Sequence, residues 1–228
     1  MIISHKHKFI FIKNQKTAGT SLEIALSELC GPEDIITPID PVDEDMRKSL
    51  GFKGAQNYLH EPYALTSSPS VIRNMTKMKY FNHIPAIDVK EKLANDDITW
   101  NDYYKFSFER NPYDKVISWY YFRYRNEDVL PSMQEFIISL QPVLTGFDLY
   151  AIDDIIALDD VFLYEDMSSA LAKIADKIGL GSLSLPSYKA KSKFRKNKDH
   201  YSKLINNDER VLIESKFRRE IDYFGYKF

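Results

Sequence analysis

Phe9-Ile10-Phe11-Ile12, the polar run Lys13-Asn14-Gln15-Lys16-Thr17-Ala18-Gly19-Thr20-Ser21, and then Leu22, Ala25, Leu26 and Leu29 form the stretch that decides the fold. Four consecutive apolar residues read as a short buried strand, and the three leucines and one alanine recur at helical spacing until Gly31-Pro32 stops them. The order is strand, loop, helix. In a parallel sheet such a loop lies at the carboxyl end of its strand, where ligands bind.

The same grammar returns twice. Tyr103 to Phe108 is an aromatic-rich strand, followed by Asn111 as N-cap, Pro112 at the first helical position, and Val116, Trp119, Tyr120 and Arg123 on one helical face. A third strand, Val161-Phe162-Leu163-Tyr164, leads into a helix carrying Leu171, Ile174, Ala175 and Ile178 and closed by Gly179. A C-terminal helix is expected over about Asp208 to Arg219, with Ile213, Phe217 and Ile221 on one side. Strands alternating with helices imply an α/β fold, a P-loop-like three-layer sandwich with a central parallel sheet flanked by helices. The 228 residues read as one domain, 1–228, with an irregular insertion at about 31–100 where periodicity is weak.

Composition bounds the function. The chain has 31 Lys+Arg against 33 Asp+Glu, a net charge of −2, so no nucleic-acid partner is implied. Its 44% hydrophobic and 14% aromatic content excludes wholesale disorder. The single cysteine, Cys30, forms no internal disulfide, and no Cys/His cluster has zinc spacing, which fits a reducing, cytoplasmic setting. No long apolar run follows Met1, so neither a secretory signal nor a transmembrane segment is expected. The average charge hides a split: residues 33–45 carry six acids and no base, whereas 189–198 carry six bases and no acid.

The loop of the first unit has the makings of an anion site. Backbone N–H groups converge at the start of a helix with the positive end of its dipole. Lys16 adds a compact charge, Thr17, Thr20 and Ser21 add hydroxyl donors, and Ala18 and Gly19 keep the turn small. Glycine is scarce, at 8 residues, so Gly19 inside a polar motif stands out as a place where backbone approaches the anion closely. A Walker A loop requires G-x-x-x-x-G-K-[ST]; here Lys precedes the only Gly, which disfavours a magnesium-nucleotide P-loop and favours a phosphate or phosphosulfate cradle. The second unit supplies Arg110-Asn111-Pro112, in which Arg110 ends a strand and forks onto a phosphate, and Ser118, about two turns into the following helix.

Together the two motifs resemble the sulfotransferases that use 3′-phosphoadenylyl sulfate (PAPS), in particular bacterial proteins similar to Golgi glycan sulfotransferases of the heparan sulfate 2-O-sulfotransferase type. The resemblance extends through Tyr80-Phe81-Asn82-His83, Tyr164-Glu165-Asp166 and Phe224-Gly225-Tyr226, and is thinnest over residues 31–79. It implies that Lys16 to Ser21 hold the 5′-phosphosulfate, and that Arg110 and Ser118 hold the 3′-phosphate. It also implies a basic loop over that phosphate, with Lys193 and Arg195 as counterparts, and the product 3′-phosphoadenosine 5′-phosphate (PAP). One departure is Asn14-Gln15, where relatives commonly show an apolar residue and Pro, which bears on the stiffness of the loop.

Sulfuryl transfer to an alcohol needs a base for the hydroxyl proton and a cation for the departing oxygen. Of His5, His7, His60, His83 and His200, the resemblance points to His83 as the base, and Lys16 suits the second task. The sulfuryl group carries less charge than a terminal phosphoryl, so no metal is expected. The acceptor expected from the resemblance is a saccharide or another small hydroxyl compound, lined by residues 31–79, with Arg47, Tyr58 and His60 as candidates. Two alternatives remain at this point: a P-loop kinase or phosphohydrolase, and a non-catalytic nucleotide-binding protein.

Overall fold

A computed structural model describes residues 1–60, 77–141, 146–186, 195 and 197–228. The central strand is β2 (Phe9–Phe11), and its alternation divides the core in two. Phe9 and Phe11 face Phe106, Phe108, Leu22, Leu26 and Ile174, whereas Ile10 and Ile12 face Val89, Leu93, Phe147 and Tyr150. Helices α1 (Gly19–Ser27) and α7 (Met167–Lys177) cover the first face; α3 (Ala86–Asn95) and α6 (Phe147–Tyr150) cover the second. The three layers expected from the sequence are therefore present.

The sheet itself is mixed. Its order is β3 (Ile35–Ile36), β1 (Ile2–Ser4), β2, β4 (Tyr104–Glu109) and β7 (Asp160–Leu163). Strands β2, β4 and β7 run parallel, with Phe9 opposite Tyr104 and Phe106 opposite Asp160. The parallel centre expected from the sequence carries an antiparallel extension on one side, where β1 pairs antiparallel with β2 and β3 antiparallel with β1. The cause is connection length: four residues join β1 to β2, with Lys8 at φ +53°, and a link that short closes a hairpin and cannot return the chain for parallel pairing.

Between β3 and β4 lie α2 (Pro41–Ser49) and α3, the latter burying Ala86, Val89 and Leu93. Helix α4 (Pro112–Arg123) follows β4 and packs with α5 (Met133–Ser139) and α8 (Asn207–Lys216) through Tyr113, Ile117, Tyr120, Phe136 and Ile213. A small antiparallel pair, β5 (Ala151–Ile152) and β6 (Ile155–Ile156), precedes β7. The single C-terminal helix expected from periodicity is two, α8 and α9 (Arg218–Phe224), separated at Phe217, which leaves helical geometry while its ring stays buried beside Ile213. No helix among the described residues is long and apolar enough to cross a membrane.

Candidate active site

The carboxyl ends of β2 and β4 open into a cleft of about 620 Å³. After β2 the chain keeps one more ladder bond, Ile12 N–H to the Phe106 carbonyl at 3.0 Å, and then turns. Asn14 anchors the turn: its side-chain amide donates to the Phe108 carbonyl (3.0 Å) and to Glu109 Oε2 (2.9 Å), and its Oδ1 accepts from Gln15 N–H (2.6 Å). Glu109 is itself buried and paired with Lys115 Nζ at 2.7 Å, and it accepts from Tyr150 OH at 2.8 Å. Asn14 thus supplies by hydrogen bonding the stiffness that an apolar-Pro pair would supply by covalent restriction.

Lys16 and Ala18 then adopt left-handed backbone, φ +60° and +59°, costly conformations for non-glycine residues that cluster where a turn must present its amides. Helix α1 begins at Gly19 with no side-chain cap and no acid in its first turn. Gly19, Thr20 and Ser21 of its first turn line the cleft, and a helix start leaves its leading N–H groups without helical partners. Gly19 has a reason different from the one expected. A Cβ there would lie 2.7 Å from Lys13 Cγ, so the glycine makes room for the Lys13 stem passing under α1. Thr17 does not line the cleft; its hydroxyl donates back to the Asn14 carbonyl at 3.3 Å.

Lys13, not singled out from the sequence, is buried and lines the cleft while its ammonium pairs with Glu23. Burial pushes the Glu23 carboxyl up, but Lys13 and the Met1 amino group outweigh it and hold it at about 2, so the carboxylate stays ionised. Lys16 reaches over the Phe122 ring, 3.9 Å from its centroid.

His83 enters from the turn before α3 with φ +59°. Its Nδ1 lies 2.9 Å from the Lys13 carbonyl, and a carbonyl only accepts, so Nδ1 carries the proton and Nε2 keeps its lone pair. Burial first, and the Lys13 charge second, push the imidazole down to about 3, which keeps it neutral across the physiological range.

From the second motif, Arg110 and Ser118 both line the cleft. Arg110 stacks on Tyr164 at 4.3 Å, donates from Nη1 to the Lys16 carbonyl (2.9 Å), and donates from Nε to Asp114 Oδ2 (2.9 Å). Unlike α1, helix α4 is capped by a side chain, Asn111 Oδ1 accepting from Tyr113 N–H at 3.0 Å. Arg195 lies at the cleft and pairs with Asp114, whereas Lys193 falls outside the described residues. Lys198 also lines the cleft.

The remaining candidates sit elsewhere. Arg47 is fully buried in α2 and pairs with Glu44, Tyr58 belongs to the core, and His60 is exposed with its N–H bonded to Lys77; none of the three lines this cleft. His5 bonds Tyr103 OH (2.6 Å) and His200 bonds Ser202 Oγ (2.8 Å), both away from the cleft.

Comparison with known proteins bears on this arrangement. The model of the sulfotransferase family matches residues 1–140, which carry both motifs, His83 and the first helix of the second unit. The chain belongs to the sulfotransferase family. No curated protein matches it. Among solved structures it is similar to a mouse sulfotransferase complexed with PAP, at 11% identity and a TM-score of 0.49, covering 96% of this chain and 86% of that one. It is also similar to a sulfotransferase from Alicyclobacillus acidocaldarius, at 16% identity and a TM-score of 0.44, covering 97% and 96%. Sulfuryl transfer is the general chemistry of this sulfotransferase, and the kinase and phosphohydrolase alternatives fall with that assignment.

Proposed function

We propose that this sulfotransferase transfers the sulfuryl group of PAPS to a hydroxyl of a saccharide or related small acceptor, with His83 as general base. The observation that carries the reading is the His83 Nδ1 contact with the Lys13 carbonyl, which fixes a neutral tautomer in the same cleft as an uncapped helix start, Lys16 and Arg110. The saccharide part rests on the motif resemblance alone.

In this mechanism the α1 amides, Thr20 and Ser21 receive the 5′-phosphosulfate, and Arg110 and Ser118 the 3′-phosphate. The acceptor oxygen attacks sulfur as the bond from sulfur to the bridging phosphate oxygen breaks. The hydroxyl proton passes to Nε2 of His83, and PAP leaves with the bonding pair. Lys16 moves from the Phe122 ring toward the bridging oxygen and stabilises its growing charge. An imidazole at about 3 is a weak base, and the donor's negative charge beside Lys13 would offset the second of the two causes that hold it there. No residue in this scheme calls for a metal, so transfer should persist in chelator.

The acceptor site falls, on this reading, on the side of residues 31–100, from which α3 and His83 approach. A screen of hydroxyl acceptors with PAPS labelled in its sulfuryl group tests the proposal. Label should move to a saccharide hydroxyl in the presence of chelator. A strict magnesium requirement, or binding of PAP without transfer to any acceptor, would overturn it in favour of a different mechanism or a non-catalytic nucleotide binder.

A further inference from the structure

Asp114 does more than pair with its helical neighbour. Its Oδ2 accepts from Arg110 Nε, and its Oδ1 is in an ion pair with Arg195 Nη1, 81 positions along the chain. One carboxylate therefore joins the arginine that ends β4 to a residue of the basic run. Burial raises the Asp114 pKa, but the two guanidiniums prevail and hold it below the usual carboxylate range, so it stays charged.

The rest of Arg195 is already spoken for. Its Nε donates to the Asn197 carbonyl at 2.8 Å and its Nη2 to the Asp199 carbonyl at 2.6 Å. All three guanidinium nitrogens thus bind protein, two of them the backbone of the segment that carries Arg195. Arg110 is equally occupied, but by Asp114 and the Lys16 carbonyl, whereas two of the Arg195 bonds go to its own following residues and fasten them. The residue brought to the cleft in between is Lys198, exposed and lining the same space as Arg110 and Ser118.

We propose that Asp114 is a positioning residue, the anchor of a latch in which Arg195 holds Asn197 to Asp199, and with them Lys198, at the Arg110 end of the cleft. This rests on the PAPS reading above, and it gives Arg195 a fastening role. The physical basis is charge assistance at partly enclosed sites: the Asp114 and Arg195 side chains are 22% and 21% exposed, so the bond is sheltered from much of the solvent that weakens surface pairs. Removing that charged tie frees residues 197–199 from the α4 start.

The test is equilibrium binding of PAP and of 5′-AMP, which lacks the 3′-phosphate, to wild type, Asp114→Asn, Arg195→Gln and the double variant. Each single variant should lose about tenfold in PAP affinity with little change for 5′-AMP, and the double should lose no more than either single. Non-additivity confined to the 3′-phosphorylated ligand is something a general structural defect would not produce. Arg195→Gln, on an exposed segment, reports the latch even if Asp114→Asn folds poorly. Unchanged or tighter PAP binding by Asp114→Asn would overturn the latch and make Asp114 a competitor of the phosphate, and additive losses would overturn it too. Failure of the wild type to bind PAP would overturn the donor reading and the latch with it.

Discussion

The two helices that start at the cleft are opposites. Helix α1 begins with left-handed Ala18, no side-chain cap and no acid, so its leading amides are open to an anion. Helix α4 begins with Asn111 capping Tyr113 N–H, Pro112 lacking a donor and Asp114 in its first turn, so its own backbone is satisfied and an acid already sits there. The lesson is a division of labour. On the proposed function, the α1 end would meet the donor through backbone, which suits the part common to many nucleotides. The α4 end would meet it through the side chains of Arg110 and Ser118, which suits the phosphate that distinguishes one nucleotide from another.

His83 belongs to the α1 side, because its orientation depends on the Lys13 carbonyl in the same turn. His83→Ala should lower kcat by about 10²–10⁴ while PAP affinity stays near wild type; near-normal turnover would remove His83 from the chemistry. The same residue gives a pH signature. Its folded value of about 3 lies below the ordinary 6.5, so the unfolded state binds the proton more readily between the two. Its contribution to stability is full above 6.5 and is lost as pH falls toward about 3, and urea titrations of His83→Ala should show a shallower acid loss than wild type.

Lys16→Ala comes next, with an expected fall in kcat of about 10²–10³ and a smaller change in PAP affinity, because its charge is needed where the leaving oxygen develops its own. Single-turnover kinetics read this directly. Equal losses in kcat and PAP affinity would make Lys16 a simple ligand and blur the difference between binding and chemistry on the α1 side.

Gly19→Ala should cost about 1–3 kcal/mol of stability, since a Cβ 2.7 Å from Lys13 Cγ forces that buried stem to move. The midpoint of urea denaturation measures it. Asn111→Ala is the smallest effect, about 1 kcal/mol by the same method, from loss of the α4 cap. It should leave 5′-AMP affinity unchanged, and a change would show that the α4 amides also take part in binding the 5′ side.

The sequence made the three strand-helix units legible because each pairs an apolar or aromatic run with helical periodicity and a clear stop. The cleft positions of Lys16, Gly19 and Arg110 were legible because these residues follow strands of a parallel sheet, and that of Ser118 because it lies on the helix after β4. The hairpin strand β1 was not, because Ile2-Ile3-Ser4 is too short to show alternation. Lys13, Asn14 and Asp114 were missed for a different reason. Their roles depend on partners far along the chain: Phe108 and Glu109 for Asn14, Arg195 for Asp114, and, for the Lys13 carbonyl, the His83 ring. The i to i+4 spacing of Arg110 and Asp114 was the one local hint of a pair.

The central claim, that backbone at α1 holds the 5′ side and side chains at α4 select the 3′-phosphate, is tested most directly by calorimetric binding of PAP and 5′-AMP to wild type and Arg110→Ala. The account predicts that wild type prefers PAP, and that Arg110→Ala loses about 10- to 100-fold in PAP affinity with 5′-AMP affinity nearly unchanged. Equal losses for both ligands, or a wild type that does not distinguish them, would contradict it.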